Sequence, residues 1–161
     1  MMLRAATISD LPRLSQLVLE MHGRSEFVRR GIGVSEPAAK ALLRDAVVRN
    51  GRTNDGGTLF NVVEKDGEIE GFMLGILQRV HHIGNRLEAQ DFWLYCSPKA
   101  PLRASARLID AYVAWALENP KVADIVLSWT DAAGADGEKI GKLYASRGFT
   151  RRGEIWKRAG Q

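Results

Sequence analysis

The sequence predicts a mixed α/β fold of the α+β kind, and three features carry that expectation. Two apolar runs of strand character, residues 59–63 and 69–80, flank Lys65-Asp66-Gly67-Glu68. Asp-Gly between such runs is a strong hairpin signal, because both central turn positions need positive φ. Apolar residues at three- and four-residue spacing mark amphipathic helices before that hairpin. After residue 88, strand and helix patterns alternate, which gives the order β-α-α-β-β-β-α-β-α-β.

Each element has its own warrant. Leu3 to Ile8 is a short strand, and Ser9-Asp10 offers an N-cap for a helix over about residues 10–21, with Leu11, Leu14, Leu17, Val18 and Met21 on its buried face. Residues 22–33 show no period and contain Gly23, Gly31 and Gly33, so they read as a loop. Ser35 caps a second helix that has Pro37 in its first turn, where a missing N–H costs nothing. Ala39, Leu42, Leu43, Ala46 and Val47 form its stripe, and Asn50-Gly51 ends it. Past the hairpin, 81–86 is a connection and Glu88 to Cys96 a strand. A helix over about 104–118 turns Leu108, Tyr112 and Trp115 inward, and Asn119-Pro120 closes it. Ala123 to Thr130 is a buried strand, Gly134 to Gly137 a loop, and Asp136 caps a short helix through Arg147. Gly148 ends that helix, and Phe149 to Arg158 is a last strand or hairpin. Repeats, linkers and low-complexity runs are not evident, so 1–161 reads as one domain.

Composition narrows the class. With 161 residues, 45% hydrophobic and 26% charged, the chain has the make-up of a globular protein able to bury a core. No apolar run approaches the roughly 18–20 residues that span a bilayer, and acidic residues come too early for a secretory signal. Cys96 is the lone cysteine, which excludes an internal disulfide, and no Cys/His set has zinc spacing. The expectation is a cytoplasmic protein without a metal. A net charge of +4 suits a polyanionic ligand, but the interleaved basic and aromatic surface of a nucleic-acid module is missing.

Two segments invite chemistry. From Asp91 to Ile109 a strand feeds a helix through a tight loop, and such a junction offers free N–H groups and the positive end of a helix dipole to a phosphate. Arg103 and Arg107 stand in or beside the turn, although a plain connection with solvated arginines has the same spacing. The second segment is Lys142 to Phe149, where Tyr144 lies on the last turns of a helix ending at Arg147-Gly148-Phe149; four residues after Ile140, it also suits a core position.

Taken together, the hairpin Val62 to Phe72, the strand–proline–arginine loop and Leu143-Tyr144-Ala145-Ser146-Arg147-Gly148-Phe149 resemble the GNAT superfamily of N-acetyltransferases. The ending fits the family's L-Y-x-x-x-G-F position for position, and Leu3 to Leu11 is similar to its usual opening. The resemblance implies a mostly antiparallel sheet of six to seven strands flanked by about four helices. It also implies acetyl-CoA as co-substrate, an amine acceptor and, in many members, a homodimer. The pyrophosphate loop departs from the family's glycine-rich pattern: 100–106 holds no glycine and contains Pro101. Gly137 stands where many members carry an asparagine.

By that resemblance, residues 91–96 splay from 123–130. Tyr95 and Cys96 offer backbone groups to the pantetheine arm, and Leu102, Arg103, Ala104, Ser105, Ala106 and Arg107 hold the pyrophosphate. Tyr144 protonates the departing thiolate. Asp91 and Glu88 are the acidic candidates for accepting the amine's proton; three residues apart on a strand, they point to opposite faces. His22, His81 and His82 titrate naturally in the useful range. Segments 22–34 and 81–87 shape the acceptor side, where Glu20 and Glu26 favour a cation but Arg24, Arg29 and Arg30 an anion. Trp129 and Trp156 are candidates for a partner surface or the core. A catalytically silent CoA-binding module is the alternative from another class.

Overall fold

The computed structural model describes residues 1–129 and 136–160. Five strands, β1 (Met2–Ala5), β2 (Thr58–Lys65), β3 (Glu68–Arg79), β4 (Leu87–Cys96) and β5 (Val122–Val126), form one sheet in the order β1-β2-β3-β4-β5. Neighbours are antiparallel except β4 and β5, which run parallel. The parallel pair is joined through α4 (Ala104–Leu117), as a crossover requires. The other helices are α1 (Leu11–Gly23), α2 (Glu26–Arg29), α3 (Glu36–Val48) and α5 (Gly137–Ala145).

Local chemistry sets these boundaries. The β2–β3 turn places Asp66 at φ 53° and Gly67 at φ 85°, the geometry its Asp-Gly predicts. Ser35 Oγ accepts from the Ala38 N–H at 3.4 Å and opens α3. Asp136 accepts from the N–H groups of Glu138 and Lys139 and opens α5, and the turn that follows α5 holds Gly148 at φ 84°.

Both faces of the sheet are covered because its central strands alternate apolar residues between them. Leu14, Leu17, Val18 and Leu43 from α1 and α3 pack on Phe60, Val62, Phe72 and Leu74. On the other face Leu108, Ile109, Tyr112 and Trp115 of α4 pack on Leu59, Val63, Met73 and Leu77. Each such side chain contributes about 1.5–3 kcal/mol on burial.

Three expectations need correction. The described residues hold five strands rather than six or seven, because 149–160 adopt no regular structure. Arg151, Arg152, Glu154, Lys157 and Arg158 dominate that stretch, and Ile155 and Trp156 are adjacent, so no strand face would be consistently apolar. The strand expected from Ala123 runs from Val122 to Val126 and is half-exposed at the sheet edge; Thr130 lies outside the described residues. The 22–33 loop contains the one-turn helix α2, followed by Gly31 at φ 71°.

Candidate active site

Strand β4 has different neighbours along its two edges. Toward β3 it is paired as far as Cys96, opposite Gly71. Toward β5 the pairing ends at Gln90, opposite Val126, so beyond this point the β5-facing edge of β4 has no ladder partner among the described residues. A bulge falls at the same place: Asp91 pairs with Gly75 and Trp93 with Leu74, leaving Phe92 as the extra residue. A bulge bends its strand and increases the local twist, and this one falls where the β5 ladder stops.

Ser128 bridges the mouth of this opening. Its N–H lies 3.0 and 3.1 Å from the two carboxylate oxygens of Asp91, and its hydroxyl donates to the same carboxylate at 2.9 Å. Its carbonyl accepts the Tyr144 hydroxyl at 3.1 Å. Burial pushes the Asp91 carboxyl above its ordinary value, and the Ser128 bonds oppose that shift. Tyr144 is pushed up to about 12, first by burial and then by the nearby Asp91 carboxylate, so it keeps its proton at neutral pH. Sequence reasoning singled out Asp91 and Tyr144 but not Ser128. A polar residue ending an apolar strand is its only local signal, and its partner lies 37 residues away.

The opening leads into a cleft of about 910 Å³, bounded by residues of α1, α2 and α3 on one side and by 91–96, Ser128, Trp129 and α5 on the other. Asp91, Tyr95, Cys96, Ser105 and Tyr144 all line it. The Cys96 thiol is raised by burial and accepts the Ser105 hydroxyl at 3.3 Å, an environment that disfavours a reactive thiolate. Trp129 lies flat against Gly137, where an added Cβ would come within 2.5 Å of its ring. A side chain at 137 would displace the exposed Trp129 ring.

The glycine-free loop at the end of β4 is held by a buried pair: Ser97 Oγ donates to the Glu70 carboxylate, and the Ser97 N–H bonds the Glu70 carbonyl at 2.8 Å. Within the loop the Ala100 and Ala104 N–H groups bond to Ser97 and Pro101 carbonyls. The N–H groups of Leu102, Arg103, Ser105 and Ala106 have no acceptor among the described residues. Those donors cluster at the positive end of α4, flanked by the exposed Arg103 and Arg107. Ala104 itself is buried and spends its N–H inside the loop, so of the residues 102–107 its part is structural. Leu102 is fully exposed beside it.

Not every expected residue is brought here. Glu88 lies outside the cleft lining and accepts from the Gln78 and Gln90 side chains. His81 and His82 occupy a turn with φ 52° and 64°, also away from the lining, whereas His22 lines the cleft with Nε2 2.7 Å from the Ile32 carbonyl. Among the described residues no helix is long and apolar enough to cross a membrane.

No protein-family model and no curated protein matches this sequence. Solved structures do match in fold. Ribosomal-protein-alanine N-acetyltransferase from Brucella melitensis superposes with a TM-score of 0.68 at 16% identity, covering 99% of this chain and 100% of that one. A possible acetyltransferase from Clostridium difficile gives 0.66 at 7% identity over 99% and 97%. A transcriptional regulator from Bacillus halodurans gives 0.68 at 15% identity over 99% of both. The fold is that of the GNAT-type acetyltransferases.

Proposed function

We propose that the protein is an N-acetyltransferase that passes an acetyl group from acetyl-CoA to a primary amine by direct attack within a ternary complex. The observation that carries this reading is the coincidence of three features at one place. The β4–β5 ladder ends after Gln90, four N–H groups at the start of α4 have no acceptor among the described residues, and Tyr144 lines the same cleft as Asp91 and Ser105.

These features fit the co-substrate. The free edge of β4 at Cys96 offers strand-type bonds to the pantetheine amides, whereas the Tyr95 main chain, two residues from the Ser97–Glu70 bond, faces β3. The N–H groups of residues 102, 103, 105 and 106 face the pyrophosphate with Arg103 and Arg107 adding charge. Glu70 and Ser97 fix the start of this loop, which compensates for its lack of glycines. The bound thioester supplies an activated acetyl group with a thiolate as leaving group. A backbone N–H near Cys96 steadies the oxyanion formed when the amine attacks. Tyr144 turns its hydroxyl proton from the Ser128 carbonyl to the departing sulfur, a contribution typically on the order of 10²–10⁴ in rate. Asp91 keeps Ser128, and through it Tyr144, in position and, as an acidic residue lining the cleft, takes the proton lost by the amine.

Thiol release from acetyl-CoA over a panel of amines tests the reading. Turnover on at least one amine is expected, with Arg103→Ala weakening CoA more than a pantetheine analogue without the nucleotide. Tight acetyl-CoA binding with no thiol release from any amine would instead identify a silent CoA-binding module.

A further inference from the structure

The acceptor half of the cleft has a distinctive charge pattern. Its walls are apolar, with Val18, Met21, Phe27, Leu42 and Trp93 among them. The carboxylates of Glu20, Glu26 and Asp91 each have a partner: Glu20 pairs with Arg13 at 3.4 Å, Glu26 pairs with Lys157, and both oxygens of Asp91 accept from Ser128. Arg24, which lines the same space, has no carboxylate within 4.0 Å among the described residues. Its guanidinium is held over the Tyr95 ring, 5.8 Å from the centroid. Tyr95 is only 8% exposed, and its hydroxyl makes no hydrogen bond of normal geometry among the described residues. Burial first, with help from the nearby Glu20 carboxylate, raises that hydroxyl above its ordinary value.

Resting on the transferase reading, we infer that the acceptor is a small primary amine on an apolar body that also bears a carboxylate, the chemistry of an apolar amino acid. Arg24 takes the carboxylate, through the paired N–H geometry a guanidinium offers. The apolar body lies against the α1, α2 and α3 side, and the amine points to the splayed edge of β4. A polyamine or a lysine-rich peptide is a poor fit, because its second positive charge would meet Arg24. Exposed Arg29 and Arg30, close by in sequence, add to the positive field.

The test compares L-phenylalanine, phenethylamine and spermidine as acceptors for the full chain and for Arg24→Gln. Arg24 is exposed, so circular dichroism should show the variant folded. The expected kcat/KM for phenylalanine exceeds that for phenethylamine at least tenfold, with spermidine poorest, and Arg24→Gln lowers only the phenylalanine value, by at least tenfold. A preference for spermidine or phenethylamine, or an equal effect of Arg24→Gln on all three, overturns the inference while leaving acetyl transfer standing. Binding of N-acetyl-L-phenylalanine by calorimetry in the presence of CoA provides a readout independent of turnover. Arg24-dependent binding without thiol release supports the assigned pocket and counts against catalysis; absent or Arg24-independent binding counts against the pocket.

Discussion

At the scale of single residues, Ser128 makes the site a unit. It ties the carboxylate on one splayed strand to the tyrosine of α5, using its N–H, hydroxyl and carbonyl. With Tyr144 raised to about 12, its proton is retained far above neutrality, so the phenol is in the protonated form a donor needs, although it is a weaker acid than a free tyrosine. Tyr144→Phe is therefore expected to lower kcat by at least tenfold while acetyl-CoA affinity barely moves. The acidic limb of the rate profile should persist, since it reports the amine side of the reaction; steady-state kinetics against pH and acetyl-CoA titration check both points. Sequence patterns revealed Tyr144 because a motif surrounds it. Ser128 had no motif, and its importance comes from contacts made only when strand β5, Asp91 and α5 meet.

A different residue-scale group governs acid stability. Arg4 donates to both oxygens of Asp10, at 2.7 and 2.9 Å, and to Glu64 at 2.7 Å. The Arg4 bonds, helped by Thr7, hold the Asp10 carboxyl at about 2, against 3.8 for the free side chain. Because the folded value is the lower one, this stabilisation is complete above pH 3.8 and fades as pH falls toward 2. Asp10→Asn should lose it at neutral pH and show a flatter stability profile between those limits, measured by denaturant titration at a series of pH values.

At the scale of elements, the decisive feature is the way β4 parts from β5. Gly75, opposite Asp91, leaves room for the Tyr112 ring, whose hydroxyl bonds the Val126 carbonyl at 3.0 Å where the ladder ends. A Cβ at position 75 would lie 2.5 and 2.8 Å from two ring carbons of Tyr112. Gly75→Ala should thus cost about 1–3 kcal/mol through overpacking. Differential scanning calorimetry should show a Tm lower by several degrees, since about 1 kcal/mol shifts Tm by roughly 2–4 °C in a chain of this size. An unchanged Tm would mean that the Tyr112 ring moves aside at little cost. Glycine in a strand pattern hints at a bulge or a close approach, but only the fold shows which ring approaches.

The whole molecule is a sheet with helices on both faces, and much of that was readable from period and turn chemistry. The Asp66-Gly67 hairpin, the Ser35 cap, and the inward Leu108, Tyr112 and Trp115 stripe all stand where local sequence puts them. The length of β5 and the fate of 149–158 were not readable, because each depends on whether neighbouring strands supply an edge and an apolar face. The same limit applied to the site. Glu20 and Glu26 look available in the sequence, yet Arg13 and Lys157 claim them across distances that sequence does not reveal.

Acetyl-CoA binding hinges on the main-chain donors at the start of α4, and acetyl-CoA titration into isotopically labelled protein examines them directly by amide NMR. Saturable shifts are expected at Leu102, Arg103, Ser105 and Ala106 and at Cys96, with a matching rise in Tm. Saturating acetyl-CoA that leaves those amides and the melting temperature unmoved would contradict the account.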